Sequence, residues 1–170
     1  MLKKEITLYS LFIFGLLLCS FLIYEHFSST GSEFCKIGST FDCGIVNKSP
    51  YANLDGFSYL LAVDFGLAFP LIDLKGIHWT FDLFTSNAFL GLLVFILLFF
   101  MFYLYTKKKD FLFIKRKNIL FWMKIILSFG ILYGFCLFLI QHFILKAYCI
   151  FCLGLDLVLI LSLFFVYKFK

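Results

Sequence analysis

The chain has 170 residues, of which 63% are hydrophobic and 22% aromatic, with 27 Phe and a net charge of +5. Soluble domains carry about 45–50% apolar residues, and a chain this short has too little interior to hide so many rings, so the composition excludes a water-soluble globule and points to a single integral membrane domain. The positive charge does not mark a nucleic-acid surface, because the basic residues sit beside apolar runs, as topology determinants do.

Ile6 to about Tyr24 is an apolar run led by Lys3 and Lys4. It has the look of a signal peptide, but it ends in Tyr24-Glu25-His26 without a small-residue cleavage site. It therefore reads as an uncleaved first span, TM1 (about 6–24). An external loop, 25–86, carries Cys35 and Cys43. Within it, 57–82 is apolar but broken by Asp64, Pro70, Asp73, Lys75 and Gly76. A carboxylate at the centre of a span costs about 2.5–3.5 kcal/mol on insertion scales, so this stretch predicts a short half-embedded helix plus loop. TM2 (about 87–106) ends in Lys107-Lys108-Lys109. TM3 (about 119–145) follows Lys115-Arg116-Lys117, and TM4 (about 150–167) precedes Lys168 and Lys170.

These spans predict an all-α integral membrane fold, a four-transmembrane-helix bundle in one domain over 1–170. Lys3, Lys4, the 107–117 cluster and the C-terminal lysines fall on one side, the cytoplasmic one. The 25–82 region holds the acids Glu25, Glu33, Asp42, Asp55, Asp64, Asp73 and Asp82 against only Lys36, Lys48 and Lys75, which suits the external face. A fifth span at 57–82 would strand one cysteine pair in a reducing compartment. Four spans place both pairs outside, and the cell membrane is the expected location.

The six cysteines are Cys19, Cys35, Cys43, Cys136, Cys149 and Cys152. Zinc needs four converging ligands, whereas His26, His78 and His142 are scattered without ligand spacing, so no metal is expected and disulfide chemistry is the better reading. Cys149-Ile150-Phe151-Cys152 is a C-x-x-C at the mouth of the last span. Such a pair can close a small reducible ring, and a helix N-terminus favours the thiolate that attacks disulfides. Cys35 and Cys43, with seven residues between them, lie in a loop containing Gly38. Two pairs on one face permit a relay through mixed disulfides. The loop pair would carry oxidation state between a soluble partner and the fixed pair, and a quinone would be the lipid-soluble oxidant, held in the apolar interior of the bundle.

The order of helix, Cys35-x7-Cys43, Ser49-Pro50-Tyr51-Ala52, two helices, then Tyr148-Cys149-Ile150-Phe151-Cys152 opening the last helix resembles the vitamin K epoxide reductase (VKOR) family in its microbial disulfide-forming branch, over nearly the whole chain. The resemblance implies a bundle around a quinone of menaquinone or ubiquinone type. It also implies a thioredoxin-like or DsbA-like partner on the external face, a separate protein because the chain carries no thioredoxin domain. Carried over residue by residue, Cys35 meets the partner, Cys43 exchanges with Cys149, and Cys152 faces the quinone. Ser49 stands where the family often has a serine near the quinone. Ser86-Asn87 resembles a family Ser-Asn whose amide hydrogen-bonds a quinone carbonyl, and a neutral amide polarises a carbonyl without burying a charge. The chain departs from the pattern at Gly56-Phe57-Ser58, where the family usually has Gly-aliphatic-Pro. It departs again at Asp156, where animal members place a quinone-contacting Tyr.

Rival readings are a DsbB-like quinone reductase, which has the opposite order of cysteine pairs, and an electron-importing thiol transporter, which expects cysteines within the spans. A third is a structural membrane protein with external disulfides. Plainer roles also stand beside the sharper ones. Cys35–Cys43 can be a staple, Cys19 and Cys136 packing residues, Asn87 a cap for TM2, and Ser49 the start of a turn. His142 is either an interfacial structural residue or a proton carrier. Asp55, Asp64, Asp73 and Asp82 read as solvated charges. Asp156, inside TM4, must find a partner or water.

Overall fold

The computed structural model describes residues 3–28, 35–37, 40–54, 56, 59, 79–111 and 114–169. Asp55, Asp64, Asp73, Gly38 and most of the 57–82 segment lie outside them. In chain order the elements are α1 (Lys3–Phe27), the short strands β1 (Lys36–Ile37) and β2 (Phe41–Asp42), α2 (Cys43–Asn47), a 3-10 turn (Pro50–Ala52), α3 (Trp79–Thr85), α4 (Asn87–Thr106), α5 (Arg116–Ile140) continuing into a π turn (Gln141–Leu145), and α6 (Ile150–Tyr167). β1 and β2 pair antiparallel, with Lys36 opposite Asp42.

Local chemistry explains where the elements begin. Asp42 accepts a hydrogen bond from the Ile45 amide at 3.1 Å and starts α2. Ser86 accepts from the Phe89 amide at 3.3 Å and starts α4, so the capping role weighed for Asn87 belongs to its neighbour. Asp110 accepts from the Arg116 amide at 2.7 Å at the head of α5. Such caps satisfy the amides that a helix start leaves without partners.

Four helices are long and apolar enough to cross a membrane: Lys4–Phe27, Asn87–Thr106, Arg116–Leu145 and Ile150–Tyr167. They form a ring in which α1 packs on α4 and α6, and α5 packs on the same two helices. The α4–α5 seam is the loosest. Lipid tails are as apolar as Leu, so close packing holds such helices together. The packed half centres on Phe12, Phe95, Leu98, Met101, Phe102, Met123 and Leu127, all buried. The Phe12 ring meets Phe95 and Phe102 edge-on, with centroids 6.5 and 6.2 Å apart. Phe14, Leu17, Phe100, Phe121, Phe129 and Phe164 face outward, as expected where the solvent is hydrocarbon. Lys4, Lys108, Arg116 and Lys168 gather around a cleft at one end of the bundle.

The other end is polar and cross-linked. His26, at the end of α1, bonds the Asn47 carbonyl through Nδ1 at 2.6 Å and Asp82 Oδ1 through Nε2 at 3.1 Å. Asn53 donates to the same Asp82 oxygen at 2.7 Å, and Asn47 donates to the Leu22 carbonyl at 2.9 Å. Asp82, expected as a solvated charge, is instead the joint of this network, because α3 brings it against His26 at the end of α1 and against Asn53. Glu25 is buried beside His26.

Candidate functional site

Cys149 sits at the N-cap of α6 in extended backbone, and its Sγ accepts from the Cys152 amide at 3.2 Å. The Cys152 thiol donates to Cys149 Sγ at 2.6 Å. These bonds hold the Cys149 thiol below its usual pKa. The Cys152 thiol contributes most and the Cys152 and Phe151 amides add to it, while burial and the Glu25 carboxylate oppose. A helix start is where a thiolate is stabilised. The Cys149 amide donates to the buried Gln141 Oε1 at 2.9 Å, which anchors the motif to the π turn. Single π turns recur at functional sites. Sequence reasoning missed Gln141, since nothing in the spacing announces a π turn.

Cys35 and Cys43 form a disulfide, with Cα atoms 5.5 Å apart. A parallel bridge joins Phe41 to Tyr148: the Tyr148 amide donates to the Thr40 carbonyl at 2.9 Å, and the Asp42 amide to the Tyr148 carbonyl at 3.1 Å. Cys43 follows Asp42, and Cys149 follows Tyr148, so this register sets the two pairs side by side. Cys35, Cys43 and Cys149 are buried in one apolar cluster with Leu22, Val46, Ala88 and Ala147, and Cys152 packs against it. On the exposed side His142 Nδ1 lies 2.6 Å from the Tyr148 hydroxyl, which ties the histidine to the residue preceding the C-x-x-C.

Behind Cys152 a cavity of about 440 Å³ opens between α4, α5 and α6. Its walls are mostly apolar, with Val94, Phe95, Ile126, Phe129, Leu155 and Leu159 among them, and its few polar groups are Asn47, Ser49, Tyr51, Asn87, Tyr133, Gln141, Cys152 and Asp156. An apolar pocket with a small number of fixed polar groups suits an apolar ring bearing carbonyls. Asn87 donates through Nδ2 to the Tyr51 carbonyl at 3.0 Å and accepts at Oδ1 from the Tyr133 hydroxyl at 2.6 Å. One amide hydrogen of Asn87 is left without a partner among the described residues. Ser49 lines the same cavity, but its hydroxyl donates to the Val46 carbonyl at 2.7 Å and closes α2. Its oxygen can still accept.

Tyr133 was not singled out in the sequence. Its signal was a phenol within an apolar span, sharing one helix face with Gly130 and Gly134. Cys19 is buried and Cys136 half-buried, both as free thiols, and both lie within spans. Among the described residues no group of three or more His, Cys, Asp or Glu gathers to hold a metal ion.

The arrangement is two adjoining cysteine pairs, one of which borders an apolar cavity. A search of curated proteins finds no match. The profile of the vitamin K epoxide reductase family matches residues 6–167, nearly the whole sequence and both cysteine pairs, and on that coverage the chain belongs to the vitamin K epoxide reductase family.

Proposed function

We propose that this membrane thiol oxidoreductase oxidises a thioredoxin-like protein at the external face and passes the electrons to a quinone of menaquinone or ubiquinone type, supporting disulfide-bond formation. The observation that carries the reading is that Cys149 is buried with Cys35 and Cys43 while Cys152 borders the cavity. In this reading Cys35 exchanges with the partner and leaves the loop pair reduced. The Cys43 thiolate then attacks Cys149 Sγ, the Cys149–Cys152 bond breaks, and Cys152 leaves as a thiolate that takes up the proton Cys43 gave up. Cys35 attacks Cys43 next, which restores the loop disulfide and releases Cys149. Thiols of low pKa leave faster, and the hydrogen bonds that depress the Cys149 pKa serve this release. The dithiol finally loses two electrons and two protons, and its S–S bond re-forms. A bound quinone would take up both electrons and both protons to become the hydroquinone, held through the free amide hydrogen of Asn87, with Ser49 nearby.

The basic end of the bundle supports a cytoplasmic placement for both termini, with the cysteine end outside. The exposed Trp79, Phe81 and Phe84 of α3 suit a helix lying in the interface, where Trp concentrates.

The test is thiol oxidation in membranes with added quinone. Activity is expected to vanish in Cys149→Ala and Cys152→Ala, and activity that survives either change overturns the assignment. Mixed-disulfide trapping checks the order of events. Cys43→Ser leaves Cys35 without its resolving thiol, so the thioredoxin-like adduct should accumulate there, and Cys35→Ser should yield none.

A further inference from the structure

Asp156 has no part in the exchange between cysteines, yet it stands one turn from Cys152 on α6. Residues four apart share a helix face, and both side chains line the cavity. Asp156 is the one charged side chain among the described residues lining it. It makes no hydrogen bond or ion pair among the described residues. The facing helix leaves space for it: a Cβ added at Gly134 would collide with the Asp156 carboxylate. Packing alone would be served by a leucine, whereas an ionised carboxylate at membrane depth costs about 2.5–3.5 kcal/mol on the mildest scale. Cys152 on its own helix and Tyr133 on α5 line the cavity with it, and Cys19 of α1 lies near Cys152; none of them is a cation.

Reducing a quinone takes two protons as well as two electrons, and an apolar cavity has few groups that can move a proton. We propose that Asp156 is the proton-transfer group of that step: its carboxylate takes the proton from the Cys152 thiol and returns it to a quinone oxygen as the ring is reduced. This rests on the quinone reading above. The balance closes. The S–H bond of Cys152 breaks as Asp156 accepts the proton, the S–S bond with Cys149 forms, and two electrons pass to the quinone. One proton arrives through Asp156, which ends as it began. The other comes from Cys149 or, where that thiol is already ionised, from solvent at the outer mouth.

The experiment uses the full chain in lipid nanodiscs with dithiothreitol as donor and a short-chain ubiquinone as probe. Wild type should reduce the quinone, and a wild type that does not would overturn the quinone reading and this proposal together. Asp156→Asn should lower kcat about 100-fold, within the span of general acid–base effects, with little change in KM. It should also lose the acidic limb of the pH profile, because the wild-type rate rises as the carboxyl ionises and the amide cannot. Asp156→Glu should recover a tenth or more of the rate. Reduction of the Cys35–Cys43 disulfide by dithiothreitol should proceed at the wild-type rate in both variants, which shows that the fold is kept. Quinone reduction in Asp156→Asn within threefold of wild type, with the same pH profile, would overturn the proposal alone. So would equal loss in both variants accompanied by loss of the disulfide exchange, which would make Asp156 a structural residue.

Discussion

Two helix contacts in this bundle use the same device to opposite ends. In the packed half, Gly15 of α1 receives the ring of Phe95; a Cβ there would run into the ring. In the hollow half, Gly134 of α5 receives the carboxylate of Asp156. A glycine lets a neighbouring helix come close, and the guest decides what the closeness is for. The ring fills a core with Phe12 and Phe102 and stabilises the bundle through dispersion contacts. The carboxylate stands at the wall of a cavity, where it adds cost rather than cohesion. Stability and chemistry are thus divided between the α1–α4 seam and the stretch of the α5–α6 seam that borders the cavity.

This contrast can be broken by substitution. Loss of a site cysteine has the largest expected effect: Cys152→Ala should abolish quinone-linked thiol oxidation and leave the helical circular dichroism unchanged. Next, Gly15→Leu should overpack the Phe95 site and destabilise the protein by about 1–3 kcal/mol, read as a fall in the thermal midpoint in detergent, with a smaller loss of turnover per folded molecule, since Phe95 also borders the cavity. Gly134→Ala should behave in the opposite way, with quinone reduction down about tenfold, as misplaced catalytic geometry costs, and a smaller fall in the midpoint. If the two glycine variants gave the same pattern, the division of labour would be wrong. Tyr133→Phe should be milder. It removes the donor to Asn87 Oδ1, a bond worth about 0.5–1.5 kcal/mol, and should raise the quinone KM by about 2- to 12-fold. The smallest change concerns pH. Cys149 should be alkylated with a midpoint below the ordinary thiol value of about 8.5, because a depressed pKa puts more thiolate in solution at a given pH. Cys152→Ala removes the largest cause of that depression, so the midpoint should move up toward the ordinary value.

Much of the candidate site was legible in the sequence, for reasons that can be named. The C-x-x-C and the spaced pair are local patterns, and the parity of apolar runs suffices to bring them to one end of a bundle. Asn87 stood out for its place at the mouth of a span, although the cap it was weighed for proved to be Ser86. Other features were hidden. Gln141 reaches the Cys149 amide only because α5 ends in a π turn, and Tyr133 reaches Asn87 only because α4 and α5 lie side by side. Asp82 looked solvated because its partners, His26 and Asn53, are distant in sequence.

The sequence by itself determined an all-α membrane bundle, its four crossing helices, the two cysteine pairs and the family. These follow from hydropathy, charge placement and short motifs, which are properties of contiguous residues. Only the tertiary structure decided which cysteine borders the cavity, which amide anchors the C-x-x-C, and that Asp156 faces Gly134. Those depend on helix rotation and on which seam packs tightly. In a bundle whose every helix is apolar on all sides, hydropathy does not tell an inward face from a lipid-facing one; the fit of side chains between helices does.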